Sequence, residues 1–102
     1  MGYKVKLLPI VYQDLRKARK WYNDQQASLG EEFKEEINKE IDYIGHYPEH
    51  YQCKYKELRQ SLIARFSYAI FYLLEEDKKQ VIVFGILHTI RNPEIASKRI
   101  RR

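Results

Sequence analysis

The 102-residue sequence has only one cysteine, four glycines and three prolines, and these low counts exclude several kinds of protein. Since Cys53 has no second cysteine to pair with, an internal disulfide is excluded, and we expect a cytoplasmic protein stabilised by packing. The glycines, at positions 2, 30, 45 and 85, are too dispersed for a loop that cradles phosphate. We therefore predict no nucleotide site and no cofactor.

Long apolar runs are also missing. No segment approaches the roughly 20 apolar residues that span a bilayer, and the first ten residues lack the apolar core of a signal peptide. We therefore expect a soluble protein with no membrane partner. The length fits one domain, residues 1–102, with a single hydrophobic core.

Positive charge is in excess, and it is distributed unevenly. The net charge is +5, yet residues 31–50 contain seven acidic and two basic residues. The other 82 residues contain 17 basic and seven acidic residues, a net charge of +10. Most of these charges solvate the surface, but their segregation also fits a basic surface that binds an acidic partner. Composition does not distinguish a nucleic acid from an acidic protein.

Helical periodicity dominates the first half of the chain. Apolar residues three, four or seven positions apart predict a helix from Val11 to Leu29, and Gly30 fits the break after it. A second apolar stripe, from Phe33 to Ile44, predicts another helix directly afterwards. Because the connection is short, we expect the two helices to form an antiparallel hairpin.

Strand patterns occupy the rest of the chain. YKVKLL (3–8) alternates before the first helix, and three later segments, 55–64, 66–74 and 80–88, are rich in aromatic and β-branched residues. The predicted fold is α+β: a helical hairpin packed on a mainly antiparallel four-stranded sheet, in the order β-α-α-β-β-β. Asn92-Pro93-Glu94 resembles a helix start, so a short C-terminal helix or a frayed tail should follow.

The apolar stripes of these elements also predict the core, although the order of the strands in the sheet does not follow from the sequence. The predicted core residues are Leu15, Tyr22, Phe33, Ile37, Ile41, Ile70, Tyr72, Val83 and Leu87.

His46 and His50, in HYPEH, have a spacing that could hold zinc on a helix. Pro48 lies between them and argues against that helix, and no third ligand is near in the sequence. We interpret both as loop histidines and predict no metal site.

Basic residues tied to the predicted sheet are the candidate site residues: Arg59, Arg65, His88 and Arg91. Arg59 and Arg65 would project from one face if the strand between them is regular. An arginine can bind phosphate or carboxylate through two hydrogen bonds, and a histidine can transfer a proton near neutral pH. The alternative is structural, with Arg65 and Arg91 paired to acids such as Glu57 or Glu94.

Residues 59–93, RQSLIARFSYAIFYLLEEDKKQVIVFGILHTIRNP, resemble the RelE/ParE superfamily of bacterial type II toxin–antitoxin toxins, in particular the ParE-like plasmid stabilisation proteins. The family pattern has an Arg on strand two, then Arg-Phe-Pro-Tyr-x-Ile-x-Tyr, then an apolar strand that ends in His-x-x-Arg-x-Pro. Ser67 replaces the first proline. The matching residues are Arg59, Arg65, Phe66, Tyr68, Ile70, Tyr72, His88, Arg91 and Pro93. Residues 18–37, ARKWYNDQQASLGEEFKEEI, resemble the family's helical hairpin.

The ParE resemblance implies a toxin that binds and inhibits DNA gyrase without a catalytic centre. It also implies a cognate antitoxin that neutralises the toxin in a hetero-oligomer. The residues that would contact the target are Arg59, Arg65, His88 and Arg91, with the basic C-terminal tail.

The RelE resemblance implies instead an endoribonuclease that cleaves mRNA on the ribosome. The RelE pattern has an Arg where this chain has Ala69, and paired lysines near Gln60 and Leu62. Its tail tyrosine falls near Ser97, so only Arg91 of that pattern is retained. These differences favour the ParE-like function. In the ribonuclease alternative, the catalytic residues would be Arg65, His88 and Arg91.

Overall fold

The computed structural model describes residues 2–55 and 57–89, which form two helices and a five-stranded mixed sheet. The elements are β1 Lys4–Leu7, α1 Pro9–Gln25, α2 Leu29–His46, β2 Cys53–Tyr55, β3 Leu58–Ile63, a 3₁₀ turn Ala64–Phe66, β4 Tyr68–Glu75 and β5 Gln80–His88. The predicted α+β class, the helical hairpin and the four predicted strands are confirmed; the additional strand is the three-residue β2. Residues 90–102, which include the predicted C-terminal helix, lie outside the described residues.

The connection between the helices differs from the prediction at Gly30. The chain leaves α1 at Gln26 and turns at Ser28, which has a left-handed φ of 71°. Gly30 lies inside the first turn of α2, where a Cβ atom would be 2.3 Å from the backbone oxygen of Arg19. Glycine is therefore required for the close approach of the two helices rather than for the break between them. Asn23 supports the same contact, because its Oδ1 accepts a hydrogen bond of 2.8 Å from the Gly30 amide.

The strands follow the order β1-β5-β4-β3-β2. β1 is parallel to β5 and the other pairs are antiparallel, so the sheet is mainly antiparallel as predicted. Between β4 and β5 the register shifts: Phe71 pairs with Gly85, but its neighbour Tyr72 pairs with Val83. Phe84 is thus an extra residue, a β-bulge, and it reverses the side-chain alternation along β5. After the bulge, His88 lies on the face that carries the hairpin.

The core lies mainly between the hairpin and the sheet. All nine predicted core residues are buried or packed against buried residues; Leu15 and Ile41 are half-buried. Leu87 differs in location, because the bulge turns it to the face opposite the hairpin. There it packs in a smaller cluster with Leu58, Ala69 and Phe71. In the described part of the chain, no helix is long and apolar enough to cross a membrane.

Candidate functional site

The candidate arginines of β3 do not share one regular strand. β3 ends at Ile63, and Arg65 lies in the 3₁₀ turn that follows. Arg59 lies near the other end of the strand, opposite Tyr72. At ~3.3 Å per residue, the four steps from Arg59 to Ile63 alone cover about 13 Å. The fold therefore places Arg65 and His88 at the same end of the strands and Arg59 toward the other end, while Arg91 lies outside the described residues.

Arg65 forms an ion pair with Glu32 at the start of α2. Its guanidinium carbon also lies 4.8 Å from the centroid of the Phe66 ring, in a cation–π arrangement. The structural role considered from the sequence is present here with a different acid, Glu32 instead of Glu57. Because the Arg65 and Glu32 side chains remain 52% and 46% exposed, the guanidinium is also accessible to a partner.

His88 ends β5 directly opposite Tyr68, and their rings meet edge to face with centroids 5.2 Å apart. The next residue, Thr89, donates hydrogen bonds to the Ser67 carbonyl from its amide at 2.8 Å and its hydroxyl at 3.0 Å. Ser67 has a left-handed φ of 54°. A proline at this position, as in the family pattern, could not adopt that φ, because its ring holds φ near −65°. The turn beside His88 therefore excludes the proline of the family pattern.

Arg59 is engaged at the other end of the hairpin face. Its Nη1 donates a hydrogen bond of 2.6 Å to the backbone oxygen of Tyr51. The Tyr51 hydroxyl donates to Glu40 of α2, which also accepts a hydrogen bond of 2.6 Å from the hydroxyl of Ser61. We call Glu40, Tyr51, Arg59 and Ser61 the hairpin-face network. It joins α2, the segment at 47–52 and β3, so the structure assigns Arg59 a packing role.

Tyr51 of this network and Tyr72 beside it each donate a hydrogen bond, and each has a raised pKa. Burial raises the pKa of Tyr72 to about 12, and its hydroxyl donates a hydrogen bond of 2.7 Å to the Pro48 carbonyl. Burial, followed by the hydrogen bond to Glu40, also raises the pKa of Tyr51. Both phenols stay protonated near neutral pH, so neither can act there as a general base.

The face opposite the hairpin contains the positions of the RelE-type basic residues. Gln60 and Leu62 lie on this face of β3, and Leu62 is paired with Ala69 of β4. Leu62 is 61% exposed, whereas Ala69 is fully buried. An open cavity of about 320 Å³ lies here, and its described lining is His50, Tyr51, Gln52, Cys53, Gln60 and Leu62. None of these lining residues carries the permanent positive charge that binds phosphate.

The two histidines considered for zinc are engaged separately. His46 is the last residue of α2 rather than a loop residue, and its Nδ1 lies 2.9 Å from the backbone oxygen of Asp42. His50 follows in a turn, with Nδ1 3.1 Å from the Tyr43 hydroxyl. Within residues 2–55 and 57–89, no group of three His, Cys, Asp or Glu side chains is arranged to hold a metal.

Comparisons with known proteins agree with this architecture. A family model described as "ParE toxin of type II toxin-antitoxin system, parDE" matches residues 5–93. No curated relative matches the chain. Among solved structures, the fold is similar to that of a double mutant of the Escherichia coli toxin RelE in the free state, with a TM-score of 0.75. That match has 17% sequence identity and covers 100% of this chain and 98% of the other. The chain therefore belongs to the ParE toxin family of type II toxin–antitoxin systems.

Proposed function

We propose that this toxin acts by binding and inhibiting DNA gyrase, and that a cognate antitoxin neutralises it. The observation that carries the proposal is a set of neutral residues on β3 and β4, on the face opposite the hairpin. Gln60, Leu62 and Ala69 occupy the positions where the RelE pattern has basic residues, and Leu62 and Ala69 are direct neighbours across two strands. A phosphodiester placed on this surface would meet an amide and apolar side chains.

Cleavage of RNA by its own 2′-hydroxyl needs a base, an acid and cations that stabilise the charge on the phosphate. Each acid–base group typically contributes on the order of 10²–10⁴-fold to the rate. The nearby phenols of Tyr51 and Tyr72 do not replace the missing groups, since burial raises the pKa of each. This chemistry favours an inhibitor that binds its target over an enzyme that cleaves RNA.

The second candidate function is a RelE-like endoribonuclease acting on mRNA at the ribosome. The observation that favours it is that Arg65 and His88 lie at the same end of the sheet. Arg91 is the third catalytic candidate. His88 sits against Tyr68, and Arg65 precedes Tyr68 by three residues. A guanidinium for the phosphate and an imidazole for proton transfer are thus available at one end of the hairpin face.

The proposed gyrase contacts are Arg65, His88 and Arg91, together with the basic C-terminal tail. Arg59 belongs to the same proposed set, but its hydrogen bond to Tyr51 implies that it acts by positioning the segment at 47–52. Substitution of Arg59 should therefore reduce inhibition together with stability, whereas substitution of Arg65 or His88 should reduce inhibition with little loss of stability.

The test compares two readouts after induction in cells. We expect a DNA-damage response with intact mRNA, and inhibition of supercoiling by purified gyrase. Early cleavage of mRNA on translating ribosomes, abolished by His88→Ala or Arg91→Ala, would overturn this proposal in favour of the endoribonuclease. Lys78→Ala serves as a control variant, because it removes an exposed cation of the β4–β5 turn, at the end of these strands away from His88.

The proposed antitoxin is the product of the small reading frame adjacent to this gene. An acidic, amphipathic segment would suit the basic surface, since it can bury apolar area while it pairs with arginines. On co-expression the two proteins should co-purify, and the antitoxin should relieve growth inhibition. If they do not co-purify and growth is unaffected in both cases, the pairing is refuted.

A further inference from the structure

The solvent-facing side of α1 is basic. Arg16, Lys17 and Lys20 are exposed there. At about 100° per residue, the three positions fall within an arc of about 100°, and Arg16 and Lys20 are separated by one turn, a rise of about 6 Å. We call Arg16, Lys17 and Lys20 the α1 basic arc.

Nearby carboxylates neutralise little of the positive charge of the α1 basic arc. Asp14 is turned toward the sheet, where its Oδ2 accepts a hydrogen bond of 3.2 Å from the Ile86 amide. Asp24 lies 3.5 Å from the ammonium of Lys20, in an exposed pair that contributes little. Neither Arg16 nor Lys17 forms an ion pair with a described residue. Most acids of the hairpin lie instead on α2, where Glu31 binds Arg19 at 2.5 Å.

The shape of the arc indicates what it binds. Tyr12 and Trp21, which are 54% and 43% exposed, lie at its two edges, half a helical turn apart around the axis. Between them the surface is made of charged and polar side chains, apart from Ile10, which is 38% exposed and lies toward the Trp21 edge. A partner helix would need apolar anchors along the centre of this surface, at spacings of three, four and seven residues, and the arc offers none there. A phosphate backbone needs only cations and hydrogen-bond donors.

We propose that the α1 basic arc binds the phosphate backbone of duplex DNA. The cations neutralise phosphates, and the Tyr12 hydroxyl is placed to donate a hydrogen bond to a neighbouring phosphate oxygen. We expect this binding to be independent of base sequence, because contacts to phosphates carry no information about the bases. Such binding would hold the toxin on the substrate of gyrase, a function beyond contact with the enzyme itself.

The test uses a fluorescein-labelled 30-base-pair duplex and fluorescence anisotropy over a range of salt concentrations. The variant Arg16→Gln/Lys17→Gln/Lys20→Gln is compared with Lys4→Gln/Lys6→Gln/Lys78→Gln, which removes the same charge from exposed lysines of β1 and of the β4–β5 turn. Circular dichroism checks that both variants are folded. Each phosphate contact contributes about −0.9 to the slope of log K against log salt, so the arc variant should reduce that slope by roughly two to three.

The arc variant should also bind more than about tenfold more weakly at low salt, while the control variant stays near wild type. Equal losses in the two variants would overturn the proposal, because affinity would then follow net charge alone. Absence of wild-type binding at low salt would overturn it as well. Tighter binding to a single-stranded RNA of equal length, lost in the arc variant, would reassign the surface to RNA. Gyrase inhibition is measured separately, so retention of inhibition by the arc variant would leave the proposed function intact.

Discussion

On the hairpin face of the sheet, Arg59, Arg65 and His88 have partners within the protein, whereas on the opposite face the described residues Gln60, Leu62 and Ala69 of β3 and β4 are neutral. Arg59 binds a backbone carbonyl, Arg65 binds Glu32, and His88 stands against Tyr68. Across the sheet, Gln60 and Leu62 line an open cavity. Arg59 and His88, which match the family pattern, thus lie on one face, and the positions of the RelE-type bases on β3 and β4 lie on the other.

This difference distinguishes two roles that a basic residue can have, one in packing and one in contact with a partner. Arg59 is held by the fold and positions the segment at 47–52, while Arg65 combines an ion pair with half-exposed access to solvent. Four substitutions test this comparison of the two faces. They remove a buried side chain, a shared hydrogen-bond acceptor, a single hydroxyl and a surface ion pair, and we expect their effects on the free energy of unfolding to decrease in that order.

The largest effect should follow Phe33→Ala on the hairpin face. Phe33 is fully buried and contacts Tyr22, Phe66 and Tyr68 with ring centroids 4.9–5.2 Å apart. Its truncation should lower the free energy of unfolding by about 3–5 kcal/mol. Leu62→Ala on the opposite face should change it by less than about 0.5 kcal/mol, because this side chain is mostly exposed. Urea denaturation measures both, and similar losses would contradict the assignment of the core to the hairpin face.

Glu40→Ala should have the next largest effect, because it leaves two hydroxyls without their acceptor. The Ser61 hydroxyl would then be unpaired at a fully buried position, at a cost of about 1–3 kcal/mol in the free energy of unfolding. Glu40→Gln retains an acceptor oxygen and should lose less. Glu49→Ala is the control at an exposed acid. The hairpin-face network would have no stabilising role if Glu40→Ala and Glu49→Ala unfold at the same urea concentration.

Tyr72→Phe removes the hydrogen bond to Pro48 and should cost about 1 kcal/mol at neutral pH. Its effect should also depend on pH. The pKa of Tyr72 is raised from 10.0 to about 12 in the fold, so the unfolded chain ionises first as the pH increases. The contribution of the phenol is therefore complete below pH 10 and declines between pH 10 and 12. Urea denaturation of both proteins across this interval should show the difference shrinking; a constant difference would refute the raised pKa.

The smallest effect on stability should come from the Arg65–Glu32 pair, at most about 1 kcal/mol, because both side chains are half exposed. Variants of this ion pair distinguish a packing role of Arg65 from a direct contact with the target. Arg65→Glu should lose gyrase inhibition, and Glu32→Arg alone should retain it. The double variant with exchanged charges restores the pair but not a contact made by Arg65. Restored inhibition in that variant would show that Arg65 acts by positioning the turn.

The local pattern of residues in the sequence was sufficient to predict the helices and the main strands. The apolar stripes from Val11 and from Phe33 predict both helices, since each helix buries one side along its whole length. Aromatic and β-branched residues predict β4 and β5, because these residue types are enriched in strands. The family pattern from Arg59 to Pro93 also follows from the order of residues alone. These features depend on neighbours in the sequence, and the sequence determines them without reference to the rest of the chain.

Features that join distant segments were decided only by the tertiary structure. The hairpin-face network brings together Glu40, Tyr51 and Ser61, whose spacing matches no helix or strand period. Gly30 is required by the backbone of Arg19, eleven residues earlier, and not by a local turn. The bulge at Phe84 places His88 on the hairpin face and Leu87 on the other, because one extra residue reverses the alternation of a strand. The periodicity of the sequence shows which side of a helix or strand is apolar. The face of the sheet on which that side lies depends on the neighbouring strand and on the register of the pairing.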